Sequence, residues 1–398
     1  MKKTMFIALS LLSSVAMAET KFNFSGDAYV KGYFKNKFSP DKERGFNQLF
    51  RLNSEARVDE KLTIKTGLVL SSEAWEGDKH VTTTTGTAVG GTNEEVAGNG
   101  NITHLDHAII EYNLANGWIT SFGRHKVTSP GSFLTSDDRR DRIQVLRISP
   151  TYDVLALIYD KRSEGALTNS RDDMDMYSVN YYGTWGDFKY ALQTGWWTLK
   201  KYNYTNNTVN NGMVNLDNVK QFTPQLSTKV MGIDLDFYYT LLFGGAALYK
   251  DSHHAVALKL SKDLEMVKVE YQSMLTKDGG LVASGFDSLS SIINNSPDHN
   301  ASGIKLRTVG FGLGTKNLDE YLHMVRFSKA VMSDLTLSLS AGVAKLYAST
   351  TAKAEKNTVL DATAKYDFSK SLALNAKYGK FFGDNKDHAG SLSLNANF

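Results

Sequence analysis

The sequence contains no cysteine, which excludes disulfides, thiolate nucleophiles and thiolate metal sites together. It has only 5 prolines in 398 residues, which suits many strands with few breaks, and no linker or composition shift divides it. Beyond the N-terminus, no window approaches the roughly 20 apolar residues that a membrane-spanning helix needs, so a helical membrane protein is excluded. Net charge is scarce as well. The 45 basic and 42 acidic side chains leave +3, which argues against nucleic acid as a partner. Metal-ligand spacing is missing too: His104 and His107, or His253 and His254, have no third histidine or carboxylate at useful spacing. Asp172-Asp173 or Asp137-Asp138-Asp141 could hold calcium at a loop, but neither cluster defines the chain. No strand presents a Ser/His or Asp/His set, so the sequence predicts neither an enzyme nor a cofactor.

What is present begins with a basic start at Lys2 and Lys3, an apolar run from Met5 to Val15, and Ala16-Met17-Ala18 as a small-x-small cleavage site. These parts predict a Sec signal peptide over 1–18 and one mature domain over 19–398. Removal of Lys2 and Lys3 leaves a mature net charge of about +1.

After residue 20 the chain alternates. Phe22, Phe24, Ala28, Val30 and Phe34 oppose Asn23, Ser25, Asp27, Lys31 and Lys35; Phe50, Leu52, Ala56 and Val58 oppose Arg51, Asn53, Glu55 and Arg57. Period two means strands, and the same rule holds as far as Leu360, Ala362, Ala364 and Tyr366 opposing Asp361, Thr363 and Lys365. A sandwich would alternate in the same way, so the connections must decide. One set is tight, near Asp59, Asn116-Gly117, Trp185-Gly186-Asp187, Ser333-Asp334 and Ser369-Lys370. The other set is long and polar: Glu73 to Ile102, Lys201 to Ser227 and Thr276 to Leu318. Short turns at one rim and long loops at the other are the pattern of an outer-membrane barrel.

The C-terminal strand agrees: Gly390, Leu392, Leu394, Ala396 and Phe398 alternate with Ser391, Ser393, Asn395 and Asn397. This ending resembles the closing strand by which Gram-negative outer-membrane proteins meet their barrel assembly machinery, with Phe398 as the terminal aromatic. The expectation is therefore an all-β chain, a transmembrane antiparallel barrel of about 18 strands with a loop folded into its lumen. The weakest pairing is placed at Asp236 to Tyr249, with a turn at Tyr239-Thr240; without it the count is 16.

One stretch departs from the wall pattern. Gly123 to Arg147 carries Arg124, Lys126, Arg139, Arg140, Arg142 and Arg147 against Asp137, Asp138 and Asp141, and Ser129-Pro130-Gly131 forces a turn. Selectivity in a wide pore needs charges brought together across a narrowing, and guanidinium groups keep their charge while pairing with carboxylates. Arg139, Arg140 and Arg142, with Asp137 and Asp138 as acidic partners, are the candidate constriction residues; the competing reading is a solvated external loop. Arg51, Arg57, Glu55, Lys259, Lys268 and Arg326 fall on predicted lumenal faces. In the long loop from Thr276, Phe286, Leu289, Ile292 and Ile293 sit at helical spacing, which fits either a short helix at the mouth or plain loop packing.

Gly123-Arg124-His125-Lys126, then Ser129-Pro130, then Ser136-Asp137-Asp138-Arg139-Arg140 resembles a motif of the OprD-type outer-membrane porins. The detailed likeness covers about 20 residues, and His125 stands where that family usually has glutamine. The resemblance implies an 18-stranded barrel passing small carboxylates and amino acids through a constriction with an arginine ladder and an acidic side. Arg139 then matches the arginine beside the aspartates, and Arg124 that of the opening dipeptide. Parity complicates Arg124, because it shares a face with Trp118, Thr120 and Phe122. The sequence thus predicts a porin in the outer membrane for small hydrophilic, preferentially anionic or zwitterionic solutes. Its partners would be lipid or lipopolysaccharide, with a homotrimer as one assembly, as is common among porins. The alternative is a structural or adhesive barrel acting through its external loops.

Overall fold

The computed structural model describes residues 20–36, 42–74, 103–163, 174–199, 218–245, 249–283, 285–294, 304–310, 314, 316–347 and 353–398. The signal peptide predicted over 1–18, Asp172-Asp173 and most of the loop after Glu73 lie outside the described residues. Among those described, the strands in chain order are β1 (Lys21–Asn36), β2 (Lys42–Arg57), β3 (Leu62–Ala74), β4 (His104–Asn113), β5 (Trp118–Val127) and β6 (Asp138–Ile148). They continue with β7 (Val154–Ser163), β8 (Met174–Trp185), β9 (Phe188–Leu199), β10 (Lys220–Val230), β11 (Ile233–Phe243) and β12 (His253–Leu264). The last six are β13 (Val267–Lys277), β14 (Glu320–Ala330), β15 (Leu335–Tyr347), β16 (Ala354–Ser369), β17 (Leu372–Gly383) and β18 (His388–Asn397).

Each strand pairs antiparallel with its chain neighbours, and β1 pairs with β18, so the 18 strands close on themselves. Closure leaves no sheet edge. It also fixes two surfaces: Phe22, Phe24, Phe122, Leu339, Leu360 and Leu392 point outward and are exposed, while Asn47, Thr240, Gln272, Ser340 and Asn357 point inward and are buried. An apolar outer band with a polar interior is the membrane-barrel arrangement.

The seam rests on the C-terminus. Gly26 N donates to Phe398 O at 2.8 Å and Phe398 N donates to Gly26 O at 3.0 Å. A Cβ at Gly26 would fall on the Phe398 ring and the Arg51 carbonyl, so only glycine lets the final phenylalanine lie flat there. Gly26→Val is expected to block closure, with most of the refolded protein running at its unfolded position in a heat-modifiability gel. Wild-type mobility would show that the seam tolerates a side chain.

The short turns fall where the sequence predicts them, with Asp59 accepting from Lys61 N and Leu62 N, each at 2.7 Å. Those two donors hold its carboxyl below the usual range. One prediction fails. The tenth strand is 220–230 rather than 228–238, and the turn is at Met231-Gly232 rather than Tyr239-Thr240. Met231 at φ 51° and Gly232 at φ 75° give the paired positive φ of a tight hairpin turn, a role methionine does not advertise. Pro224 hides the strand as well, since it cannot donate to a ladder; the β10 to β11 register skips Thr223 and Pro224. The strand count is unaffected, because both strands of the pair move together.

The loop between β13 and β14 folds inside. Val282, Phe286, Leu289, Ile292, Ile293, Ile304, Leu306 and Val309 form one buried cluster with the inner wall residues Ala257, Met274, Leu322, Met324, Val359 and Phe381. There is no helix over 286–293; apolar spacing reflects packing against the wall. Polar latches hold the backbone. Gln272 donates through Nε2 to Asp287 O at 3.1 Å and accepts Leu289 N at 2.9 Å; Asp361 accepts Ser291 N at 2.8 Å, and Glu320 accepts Gly310 N at 2.6 Å. Arg307 Nη2 reaches Glu355 at 3.1 Å and Asp387 at 3.2 Å. Irregular backbone at membrane depth is tolerated because the wall and these side chains satisfy it.

Candidate functional site

β5 and β6 are joined by residues 128–137, and this connection crosses the lumen. Ser129 Oγ accepts Leu134 N and Thr135 N at 3.0 Å each, closing a tight loop around one 3-10 turn at Pro130–Ser132. The tip carries Phe133, fully buried, with its ring 5.1 Å from Phe286 and 5.6 Å from Tyr238 of β11. Gly131 lies at φ 63°, and any side chain there would strike the Tyr238 ring. Ala283 N donates to Phe133 O at 2.8 Å. The two inward loops therefore grip each other, and a buried phenylalanine between them contributes about 3–5 kcal/mol against truncation to alanine.

The crossing loop leaves a set of charged side chains on its β6 side. Arg140 donates through Nε to Asp138 at 2.9 Å, through Nη1 to Asp160 at 3.0 Å and through Nη2 to Thr135 Oγ1 at 3.0 Å. Arg142 donates through Nε and Nη2 to the two oxygens of Asp160, at 2.6 and 2.9 Å. Asp160, on β7, is fully buried, and hairpin register sets it opposite Arg142. Arg139 points elsewhere: its Nε donates to Asp106 of β4 at 2.7 Å and its Nη1 to Asp137 at 2.8 Å. Asp106 is the extra residue of a bulge opposite Gly67 and Leu68, which turns its carboxylate inward, 3.8 Å from Arg51 Nε.

Arg139, Arg140 and Arg142 thus come together with Asp137 and Asp138, along with two acids the sequence did not single out, Asp106 and Asp160. The three arginines begin a strand and do not hang in a loop. A cavity of about 270 Å³ lies between the crossing loop and the wall. Arg140, Arg142, Gln144, Asn180, Tyr182 and Gln193 line it. Gln193 donates to the Tyr182 hydroxyl at 3.0 Å, while its Oε1 is buried without a hydrogen-bond partner.

Arg124 corrects the expectation. Gly123 sits in unbroken register with Ile109 and Arg142, so no bulge flips the strand, and Arg124 shares the outward face with Phe122. Its side chain is 45% exposed and lies 3.8 Å from Asp141, itself 63% exposed; it is not a constriction residue. Of the other predicted lining residues, Lys259, Lys268 and Arg326 converge on one carboxylate, Glu270, at 3.4, 3.5 and 3.8 Å. Arg57 pairs with Glu55 at 2.8 Å near the short-turn end, and Arg51 lies 3.6 Å from Asp27. His253 and His254 point to opposite sides of β12: His253 bonds the Asp278 carbonyl, and His254 Nδ1 is 2.7 Å from the Tyr239 hydroxyl. They cannot share a ligand.

An 18-stranded closed barrel with inward loops and a charged lumen is the architecture of the large outer-membrane porins. No family model matches the sequence, and no curated protein matches it. Solved structures do. OpdK of Pseudomonas aeruginosa, determined with vanillate, superposes with a TM-score of 0.59 at 13% identity, covering 94% of this chain and 98% of that one. OpdO of the same organism gives 0.63 at 10% identity over 95% and 97%. A BenF-like porin from Pseudomonas fluorescens Pf-5 gives 0.62 at 13% over 96% and 98%. The chain shares the fold of these porins along essentially their whole length.

Proposed function

We propose that this chain is an outer-membrane porin, a passive channel rather than an enzyme, which passes small hydrophilic solutes and favours those bearing a carboxylate. The observation that carries the reading is the arginine and aspartate array on β6 and β7, facing a cavity under a loop that spans the lumen. Arg140 and Arg142 line the cavity with their guanidinium groups held by Asp138, Asp160 and Thr135, so they act on a passing carboxylate through their charge, and Gln144, Asn180, Tyr182 and Gln193 offer hydrogen bonds to its polar remainder. Because Asp106, Asp137, Asp138 and Asp160 offset the arginines, the array presents both signs, which suits amino acids as well as simple acids. Surplus positive charge comes from the opposite wall, where three cations surround Glu270.

Proteoliposomes placed in isotonic solutes test this. Swelling is expected with small carboxylates and amino acids, faster than with uncharged solutes of equal size. Absence of swelling with every solute would favour the structural or adhesive barrel, and equal rates would remove the charge preference. Gln in place of Lys259, Lys268 and Arg326 together is expected to slow carboxylate entry severalfold and leave uncharged solutes near the wild-type rate. An equal loss for both would mean that the variant narrows the pore.

A further inference from the structure

The wall behind the crossing loop carries a row of uncharged polar side chains that the ion pairs of β6 and β7 do not use. Register sets Asn180 of β8 opposite Gln193 of β9, and Gln193 opposite Thr223 of β10. All three are buried, as is Gln221, the neighbouring inward residue of β10. Hydrogen bonds fix the row in place. Ser178 Oγ donates to Asn180 Oδ1 at 2.7 Å, Gln193 Nε2 to the Tyr182 hydroxyl at 3.0 Å, Gln221 Nε2 to Thr223 Oγ1 at 3.1 Å, and Thr223 Oγ1 to Thr240 Oγ1 at 3.2 Å.

The row still has hydrogen-bonding capacity unused. Gln193 Oε1 is buried without a partner, and so are both amide atoms of Gln225, on the same face of β10 as Thr223. A buried amide atom left unpaired is costly, and a ligand that brings a donor removes that cost. Asn180, Gln193, Gln221 and Tyr182 line the cavity of about 270 Å³, and Leu146 and Ile158 supply part of its apolar side. The charged lining residues, Arg140 and Arg142, already donate to Asp138 and Asp160. What the cavity has free to offer is amide. At about 30 Å³ per water, its volume is that of about nine waters, or of one sugar ring with its hydroxyls.

We propose that this cavity is a binding site for a neutral hydroxylated solute, a single pyranose sugar. A sugar hydroxyl both donates and accepts, so one hydroxyl donates to Gln193 Oε1 while accepting from a neighbouring amide. The C–H face of the ring lies on Leu146 and Ile158. A carboxylate group only accepts and leaves Gln193 Oε1 unmet. The inference goes beyond the charge preference proposed above: the same cavity detains a neutral solute through its amides, while charge acts on the anions that pass.

Single-channel current through the refolded barrel, with glucose added on one side, tests it. Glucose is expected to interrupt the current with a midpoint on the order of 10 mM for so small a ligand. That midpoint should be the same at about 0.1 M and about 1 M KCl, because no charge recognises the sugar. Tetrahydropyran, the same ring without hydroxyls, should give no interruptions. Gln193→Leu and Gln221→Leu, each checked for folding by heat-modifiability, should weaken glucose about tenfold. Absence of glucose interruptions, a midpoint that rises with salt, equal interruptions by tetrahydropyran, or wild-type affinity in folded Gln193→Leu would overturn the site. Isothermal titration of glucose into the same barrel in detergent reads binding without current. Glucose binding in a barrel that does not conduct would leave this site standing and remove the porin reading; conduction without glucose binding would remove the site and leave the porin.

Discussion

Asp160→Asn is expected to make the channel more anion-preferring and the barrel less stable. Asp160 is buried and accepts three hydrogen bonds from Arg140 and Arg142. Removing one partner of a buried charge network typically costs about 3–5 kcal/mol, because the remaining charges lose their compensation. The same change leaves two guanidinium groups facing the cavity with one less negative charge. A unit charge about 5 Å from a permeating ion in water contributes about 0.8 kcal/mol, of opposite sign for an anion and a cation, so the anion-to-cation permeability ratio should rise by about 1.6 kcal/mol, or about fifteenfold. Single-channel recording under a salt gradient reads the ratio, and the urea concentration that unfolds the barrel reads the stability. A less stable barrel with an unchanged ratio would put Asp160 outside the ion path and leave it only a structural role.

Excision of residues 280–317, with a short glycine and serine turn in their place, is expected to raise conductance roughly twofold or more, since an 18-strand wall by itself encloses a wide aqueous lumen. That segment supplies eight of the nineteen buried residues of the inward apolar cluster, and the crossing loop depends on it through Phe133 and the Ala283 to Phe133 hydrogen bond. The shortened channel should also discriminate less among solutes, because the crossing loop loses its anchor. Wild-type conductance in a folded shortened barrel would show that neither loop limits the pore. Phe133→Ala is the milder form: the wall stays intact, and the expected result is unsteady current at wild-type mean conductance.

The barrel was legible because membrane walls obey one simple rule, alternation, and because hairpins with tight turns fix register from a single turn. Asp160 could have been found that way. The turn at 149–153 sets Arg142 opposite Asp160, and an acid there ends the inward apolar pair Ala156 and Ile158. Asp106 could not, because a bulge adds a residue without leaving a signature in His104-Leu105-Asp106-His107, and parity counted through it gives the wrong face. Arg124 shows the converse. Strict parity put it on the lipid side while the motif placed it in the constriction, and the unbroken register decided for parity. The inward course of the loop after Thr276 was hidden for another reason. Phe286, Leu289, Ile292 and Ile293 announce that they must be buried but not against what, and the partner surface comes from seven strands, β12 to β18.

Charge selectivity of the kind proposed requires that the β6 and β7 charge array lie in the path of permeating ions. The reversal potential of Arg140→Gln/Arg142→Gln in a planar bilayer under a salt gradient tests it most directly. The predicted result is a shift toward cation preference, opposite in sign to that of Asp160→Asn, in a channel that still conducts. Wild-type selectivity in a conducting double variant would contradict the claim and move the constriction to another part of the lumen.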